Sequence, residues 1–274
     1  MRVYIMTDAE GVAGVENIED WVCYDSRYYE LTRELLTKEV NAAIAGFAKA
    51  GGSEFLVVGG HGHGGINSLL LDERALYLSR GLPREYQFGM SEKFDAAAWI
   101  GQHAKAGALK AHLAHTQNHE VIDRRINDIS VGEFGEFAMV AGCFGVPAIF
   151  GSGDKAFCEE AQALIPQIHT IAVKEGINET SGEDLNYEDY RKSTIAALHL
   201  HPNRARALIE EGAYNALTDF AKSRQNYKPF VIQAPYIAET WYRYTRAAVP
   251  YKTIQKHDTN FLELHSAPMI YEQP

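Results

Sequence analysis

Val3-Tyr4-Ile5-Met6-Thr7-Asp8-Ala9-Glu10-Gly11-Val12-Ala13-Gly14 opens the chain as a short apolar strand that runs into two carboxylates and a glycine-bearing turn. Side chains alternate along a strand, so Asp8 and Glu10 can project from the same side. By itself an Asp-x-Glu at a strand end fits a solvated edge as well as a metal site.

Moving outward, the same event recurs. A helical pattern from about Arg27 to Lys49 closes at Gly51-Gly52. The strand Phe55 to Val58 then ends in Gly59-Gly60-His61-Gly62-His63-Gly64-Gly65. The run Ala96 to Ile100 ends in Gly101-Gln102-His103, and Ala111 to Ala114, read as a fourth strand, ends at His115. An extended segment from Val121 to Val131 turns at Asn127-Asp128, and a helix begins at Glu133 and runs to about Cys143. Pro147 to Phe150 reads as a buried strand, Asp154 as the cap of a helix to Leu164, and Ile168 to Val173 as another strand. This alternation predicts an α/β fold, with a mostly parallel sheet covered by helices on both faces.

Beyond a polar segment at Glu175 to Glu183 the pattern changes. A helix is predicted from Asn186 to Leu200 and another from Arg204 to about Ala221. Strands are predicted at Lys228 to Ala234 and Phe261 to Ser266, on either side of the aromatic-rich Tyr236, Trp241, Tyr242 and Tyr244. We divide the chain into a metal-binding α/β catalytic portion, residues 1–175, and a smaller C-terminal α+β portion, residues 176–274. The second portion packs as part of the same domain or serves subunit contacts.

The 274 residues suffice for one large domain or two smaller ones, and a net charge of −10 argues against a nucleic-acid surface. Cys23, Cys143 and Cys158 form no CxxC pair, which disfavours thiolate zinc and suits a reducing compartment. No stretch approaches a membrane span, and the first apolar run is too short for a signal segment, so the chain is expected in the cytoplasm.

In an open parallel sheet the carboxyl ends of the strands share one edge, where ligands bind. Carboxylates and imidazoles that repeatedly leave strands there converge on one crevice. Oxygen and imidazole donors without sulfur suit Zn²⁺, and also Mn²⁺ or Co²⁺. Five protein donors exceed what one open catalytic zinc needs, so a paired site follows. The glycines from Gly59 to Gly65 lack both the P-loop pattern and G-x-G-x-x-G spacing. Close backbone approach beside a ligand explains them.

Asp8-Ala-Glu10-Gly-Val-Ala-Gly14, Gly101-Gln-His103-Ala-Lys-Ala-Gly107, Leu113-Ala-His115-Thr and Asn127-Asp-Ile-Ser-Val-Gly-Glu133 resemble motifs of the D-aminopeptidase (DppA-like) zinc metallopeptidases. The similarity continues through Val140 to Pro147, Gly151 to Asp154 and Ala172 to Lys174, and is loose over the last third. It implies two divalent metal ions, zinc first, held by Asp8, Glu10, His61, His103 and Glu133, with Asp8 bridging. It implies a catalytic His115, release of an N-terminal D-amino acid from short peptides or amides, and a homo-oligomeric ring, with a decamer known. His63 competes with His61: counting forward from Glu54 favours His61, counting back from Asn67 and Leu69 favours His63. Gly59 stands where the motif carries an acid, which leaves the His61 ring without an obvious second partner. His115 fits either a nucleophile or a general acid–base. Asn127, Glu136 and Lys174 are further candidates for the site. The competing readings are an amidase or phosphoesterase on the same centre, and a metal-dependent oligomeric binding protein without catalysis.

Overall fold

The computed structural model describes residues 1–62, 64–79 and 87–272. In chain order it comprises β1 (Arg2–Thr7), α1 (Tyr29–Lys49), β2 (Glu54–Gly59), β3 (Ala75–Leu78), β4 (Ala96–Gln102), β5 (Val121–Ile126), β6 (Ile129–Ser130), α2 (Glu133–Cys143), β7 (Ala148–Asp154), α3 (Lys155–Leu164) and β8 (His169–Gly176). There follow α4 (Tyr187–Ser193), β9 (Ala197–His199), α5 (Pro202–Lys222), β10 (Tyr236–Tyr242), β11 (Tyr251–His257) and β12 (Ile270–Glu272).

Among the described residues the main sheet has seven strands in the order β3-β2-β1-β4-β7-β8-β9. All neighbours are parallel except β8 and β9. From β1 the chain builds outward through β2 and β3, then returns to β1's other side with β4. The strand order therefore reverses between β1 and β4, and the crevice of such a sheet opens at the carboxyl ends of those two strands. β1 shows why both faces are covered. Val3 and Ile5 face one core with α1 and α5, while Tyr4 and Met6 face the other with α2 and α3. All four are buried, as strand alternation between two helical layers requires.

A second, antiparallel sheet runs β12-β11-β10-β5-β6. Both sheets draw on early and late parts of the chain: β9 and α5 complete the main α/β layers, while β5 and β6 enter the second sheet. No helix among the described residues is long and apolar enough to cross a membrane.

Four local expectations change. Ala111 to Ala114 is not a strand. Lys110 and Leu113 sit at φ 51° and 53°, and the amides of Lys110, Ala111 and Leu113 bond Asn178 and Thr194 instead of a ladder. The helix expected to reach Leu200 ends at Ser193, because Ala197–His199 pairs with β8 at the sheet edge. Lys228 to Ala234 forms no strand. Pro229 and Pro235 lack ladder donors, and the segment runs so close over α2 that a Cβ on Gly142 would lie 2.1 Å from the Phe230 carbonyl oxygen. Phe261–Ser266 is a 3₁₀ helix, started by Asn260 Oδ1 accepting the Leu262 amide at 3.0 Å.

Candidate metal centre

Asp8 and Glu10 leave the end of β1 on a loop pressed against the end of β4. The Asp8 amide donates to the Ile100 carbonyl at 2.9 Å and the Gly11 amide to Gly101 at 2.7 Å. The two glycines permit this approach. A Cβ on Gly11 would lie 2.1 Å from the Gln102 oxygen, and one on Gly101, at φ +77°, would lie 2.2 Å from the Asp8 oxygen. The same contact carries His103 into the crevice beyond β4. Glu133 enters as the first residue of α2, and His61 follows β2.

These five side chains meet. Asp8 turns one oxygen to each histidine: Oδ1 is 3.4 Å from His61 Nδ1 and Oδ2 is 3.2 Å from His103 Nε2. His61 Nδ1 is also 3.1 Å from Glu10 Oε2, and His103 Nε2 is 3.6 Å from Glu133 Oε1. Donor atoms of Asp8, Glu10 and His103 lie within 4.8 Å of one another, as do those of His103, His115 and Glu133.

Backbone carbonyls fix which ring nitrogen faces inward. A carbonyl oxygen only accepts, so each bonded ring nitrogen carries the proton. His61 Nε2 donates to Val22 O at 3.1 Å, leaving Nδ1 for the cluster. His103 Nδ1 donates to Ala104 O at 2.8 Å and His115 Nδ1 to Leu113 O at 2.9 Å, leaving both Nε2 atoms for the cluster. Val22 belongs to a π-helical turn, Ile18–Val22, that Asn17 caps through the Asp20 amide. It supplies the outer partner for His61 that the sequence around Gly59 does not reveal.

The donor set fits divalent cations. Three carboxylates are gathered here, Asp8 and Glu10 buried and Glu133 partly exposed, and among the described residues no lysine or arginine forms an ion pair with them. Unbalanced buried carboxylates are costly. His103 Nε2 is buried without a hydrogen-bonding partner despite its short distance to Asp8, as expected of a lone pair aimed at a shared cation. Without cations, protons take that place. Burial works against ionisation throughout, yet the carboxylates hold His61 and His103 well above the usual imidazole range, and the imidazoles hold Asp8 and Glu133 low. For His115 the balance reverses: burial, then the neighbouring His103 charge, lowers it, so its ring is neutral with Nε2 free.

His115 Nε2 lies 3.7 Å from Glu133 Oε1. Its ring is the middle of a stack, 3.9 Å from His103 and 4.5 Å from His119 between centroids. His119 thus lines the same cavity. Gln102, unassigned from sequence, donates from Nε2 to Asp8 Oδ2 at 2.9 Å, and the Gln117 amide donates to Glu133 Oε1 at 2.9 Å. Its place beside His103 was the available signal for Gln102.

The remaining candidates lie elsewhere. Asn127 occupies the β5–β6 turn at φ 47°, and its side chain binds the backbone of Gln233, Pro235 and Ile237. Glu136 turns to the second sheet, where Oε1 accepts from Arg124 at 3.0 and 2.6 Å and meets His265 at 3.3 Å. Lys174 is buried behind the β1 loop, donating to Val15 O at 3.1 Å. Asp154 holds the cap position of α3 but makes no side-chain cap bond. His63 lies outside the described residues.

The cavity above the cluster has a volume of about 390 Å³. The structure is similar to that of a "Zn-dependent D-aminopeptidase DppA from Bacillus subtilis, a self-compartmentalizing protease", with a TM-score of 0.82 and 25% identity, over 97% of this chain and 94% of that one. In sequence the chain is 32% identical over 185 residues to a D-aminopeptidase of Bacillus subtilis (strain 168). That match spans 66% of this chain and 66% of the relative, just under two thirds of its length. A D-aminopeptidase family model, peptidase M55, matches residues 1–267, and the chain belongs to that family.

Proposed function

We propose that this chain is a metal-dependent aminopeptidase with a two-cation centre, releasing an N-terminal D-residue from short peptides or amides. One observation carries the reading: five donors from four separate segments converge at the switch point of the sheet, with the outer nitrogen of each histidine held by a backbone carbonyl and the inner one turned to the carboxylates. Asp8, Glu10, His61, His103 and Glu133 would hold the pair, with Asp8 between the two histidines, and zinc suits this donor set. The structural neighbour from Bacillus subtilis is zinc-dependent. Bound there, the cations would polarise the scissile carbonyl and acidify a water molecule.

The chain's own residues do the rest. Glu133 keeps 26% of its side chain exposed, enough to face a substrate's N-terminal ammonium. His115, anchored through Nδ1 and flanked by two rings, presents Nε2 as a base that takes a proton from the attacking water and returns it to the departing amine. Gln102 fixes the Asp8 carboxylate. A cavity of about 390 Å³ suits a small peptide. The neighbour's self-compartmentalizing assembly supports a closed ring of subunits for this chain as well. Three unpaired cysteines suit a reducing cytoplasm.

The test compares D-alanyl and L-alanyl amides with zinc-loaded protein, with chelator, and after zinc is restored. The reading expects hydrolysis of the D-amide, lost with chelator and recovered with zinc. Hydrolysis of neither amide, or activity indifferent to chelator, refutes it.

A further inference from the structure

Two contiguous stretches of the cavity lining meet at Glu133, while Ile18, Val22 and Cys23 line the far side, beside His61. One is polar: His115 stacks on His119, His119 lies edge-on to Tyr187 at 6.5 Å, and Gln117 and Asn118 complete it. The other is apolar, and two of its members, Met6 and Phe137, stand one structural repeat from the metal donors. Met6 of β1 precedes Asp8, one residue past the strand end, by two positions and pairs in register with Trp99 of β4. Phe137 follows Glu133 by four positions on α2, one turn along the same helix face. The Phe137 ring lies 6.3 Å from Trp99 and 5.8 Å from Phe88 between centroids. All four line the cavity.

We propose that Met6, Phe88, Trp99 and Phe137 form a subsite for the side chain of the substrate's N-terminal residue, and that it selects bulky hydrophobic side chains. The proposal rests on the aminopeptidase reading and names its substrate class. A peptide whose ammonium meets Glu133 and whose scissile carbonyl reaches His115 Nε2 has two parts left to place. The leaving peptide's N–H and C=O groups need polar partners, which the Gln117, Asn118, His119 and Tyr187 stretch offers. The side chain on the carbon beside the ammonium then falls to the stretch next to Glu133. A charged or amide side chain there would be desolvated among apolar side chains, with the buried, unpartnered indole N–H of Trp99 as its one polar neighbour among the four, whereas each added methylene would be removed from water.

Amides of D-alanine, D-leucine, D-phenylalanine and D-glutamate, presented to the zinc-loaded protein, test this. We expect kcat/KM for D-leucyl or D-phenylalanyl amide at least about tenfold above D-alanyl amide, with D-glutamyl amide lowest. Calorimetric binding of D-leucine and D-alanine hydroxamates to the same protein gives a second readout, with the same order expected. In Phe137→Ser the D-leucyl to D-alanyl ratio falls toward one. Phe137→Leu, which keeps the site apolar, retains a preference and serves if the serine variant does not fold. Similar rates for all four amides, or a preference unchanged by Phe137→Ser, overturns the subsite and leaves the aminopeptidase reading standing. Hydrolysis of none of the amides overturns both.

Discussion

Two buried groups of charges sit at opposite ends of the Asp8–Val15 loop, and their compositions are opposite. At one end Asp8, Glu10 and Glu133 gather with His61 and His103, with no lysine or arginine in ion-pair contact among the described residues. At the other, Glu39 accepts the Ala13 amide at 3.0 Å and Lys174 donates to Val15 O at 3.1 Å, with Asp154 acting on the lysine from β7. The second group holds its own ammonium; the first does not. Burial strains both. It pushes Glu39 up to about 7, raises Asp154 and lowers Lys174, and the opposite charges only partly offset it. A buried cluster that contains its counter-charge is a structural strut. One that lacks it is built for a cation from outside.

The largest effect that would break this contrast comes from Asp8→Ala. The strut predicts nothing for it, while the metal centre predicts loss of bound metal and a fall in kcat/KM of at least about 10³-fold. Metal analysis and kinetics together check it, and a variant that keeps its full metal content contradicts the assignment. Next comes His115→Ala, which should lower kcat by about 10² to 10⁴-fold while metal stoichiometry stays intact. Full retained turnover would remove His115 from the chemistry.

Lys174→Met probes the other end. Leaving Asp154 and Glu39 without their cation should cost about 3–5 kcal/mol in urea unfolding, with metal stoichiometry unchanged. A stable variant that no longer binds metal would erase the distinction between the two clusters. The smallest effect is the pH dependence of Glu39. Its folded-state value is about 7 against an ordinary 4.5, so its contribution is complete below the ordinary value and is lost as pH rises through the folded one. Between about pH 5 and about pH 8 the parent should lose on the order of 2–3 kcal/mol relative to Glu39→Gln. Parallel stability curves for the two proteins would show that Glu39 is ionised in the fold.

The sheet and the donors were legible because both rest on local periodicity. β1, β2 and β4 are apolar runs, and a carboxylate or imidazole beyond each carboxyl end is a regularity that one chain displays without relatives. What sequence could not convey is non-local. His115 is delivered by a loop with positive φ angles whose amides bond Asn178 and Thr194, so its approach reads falsely as a strand. The outer partner of His61 is the Val22 carbonyl, which any residue type could have supplied. Glu136 and Glu133 share the first turn of one helix, yet one faces Arg124 and His265 and the other the cavity. Lys174 matches a family motif from a buried position behind the loop. β9, at three residues, owes its existence to the waiting edge of β8.

Diffraction from zinc-loaded crystals, recorded on both sides of the zinc absorption edge, would decide whether Asp8 joins two cations. Two anomalous peaks per chain are expected, both in contact with Asp8 and within the set formed by Glu10, His61, His103 and Glu133. A single peak, or peaks that leave Asp8 without a metal contact, would contradict the two-cation centre.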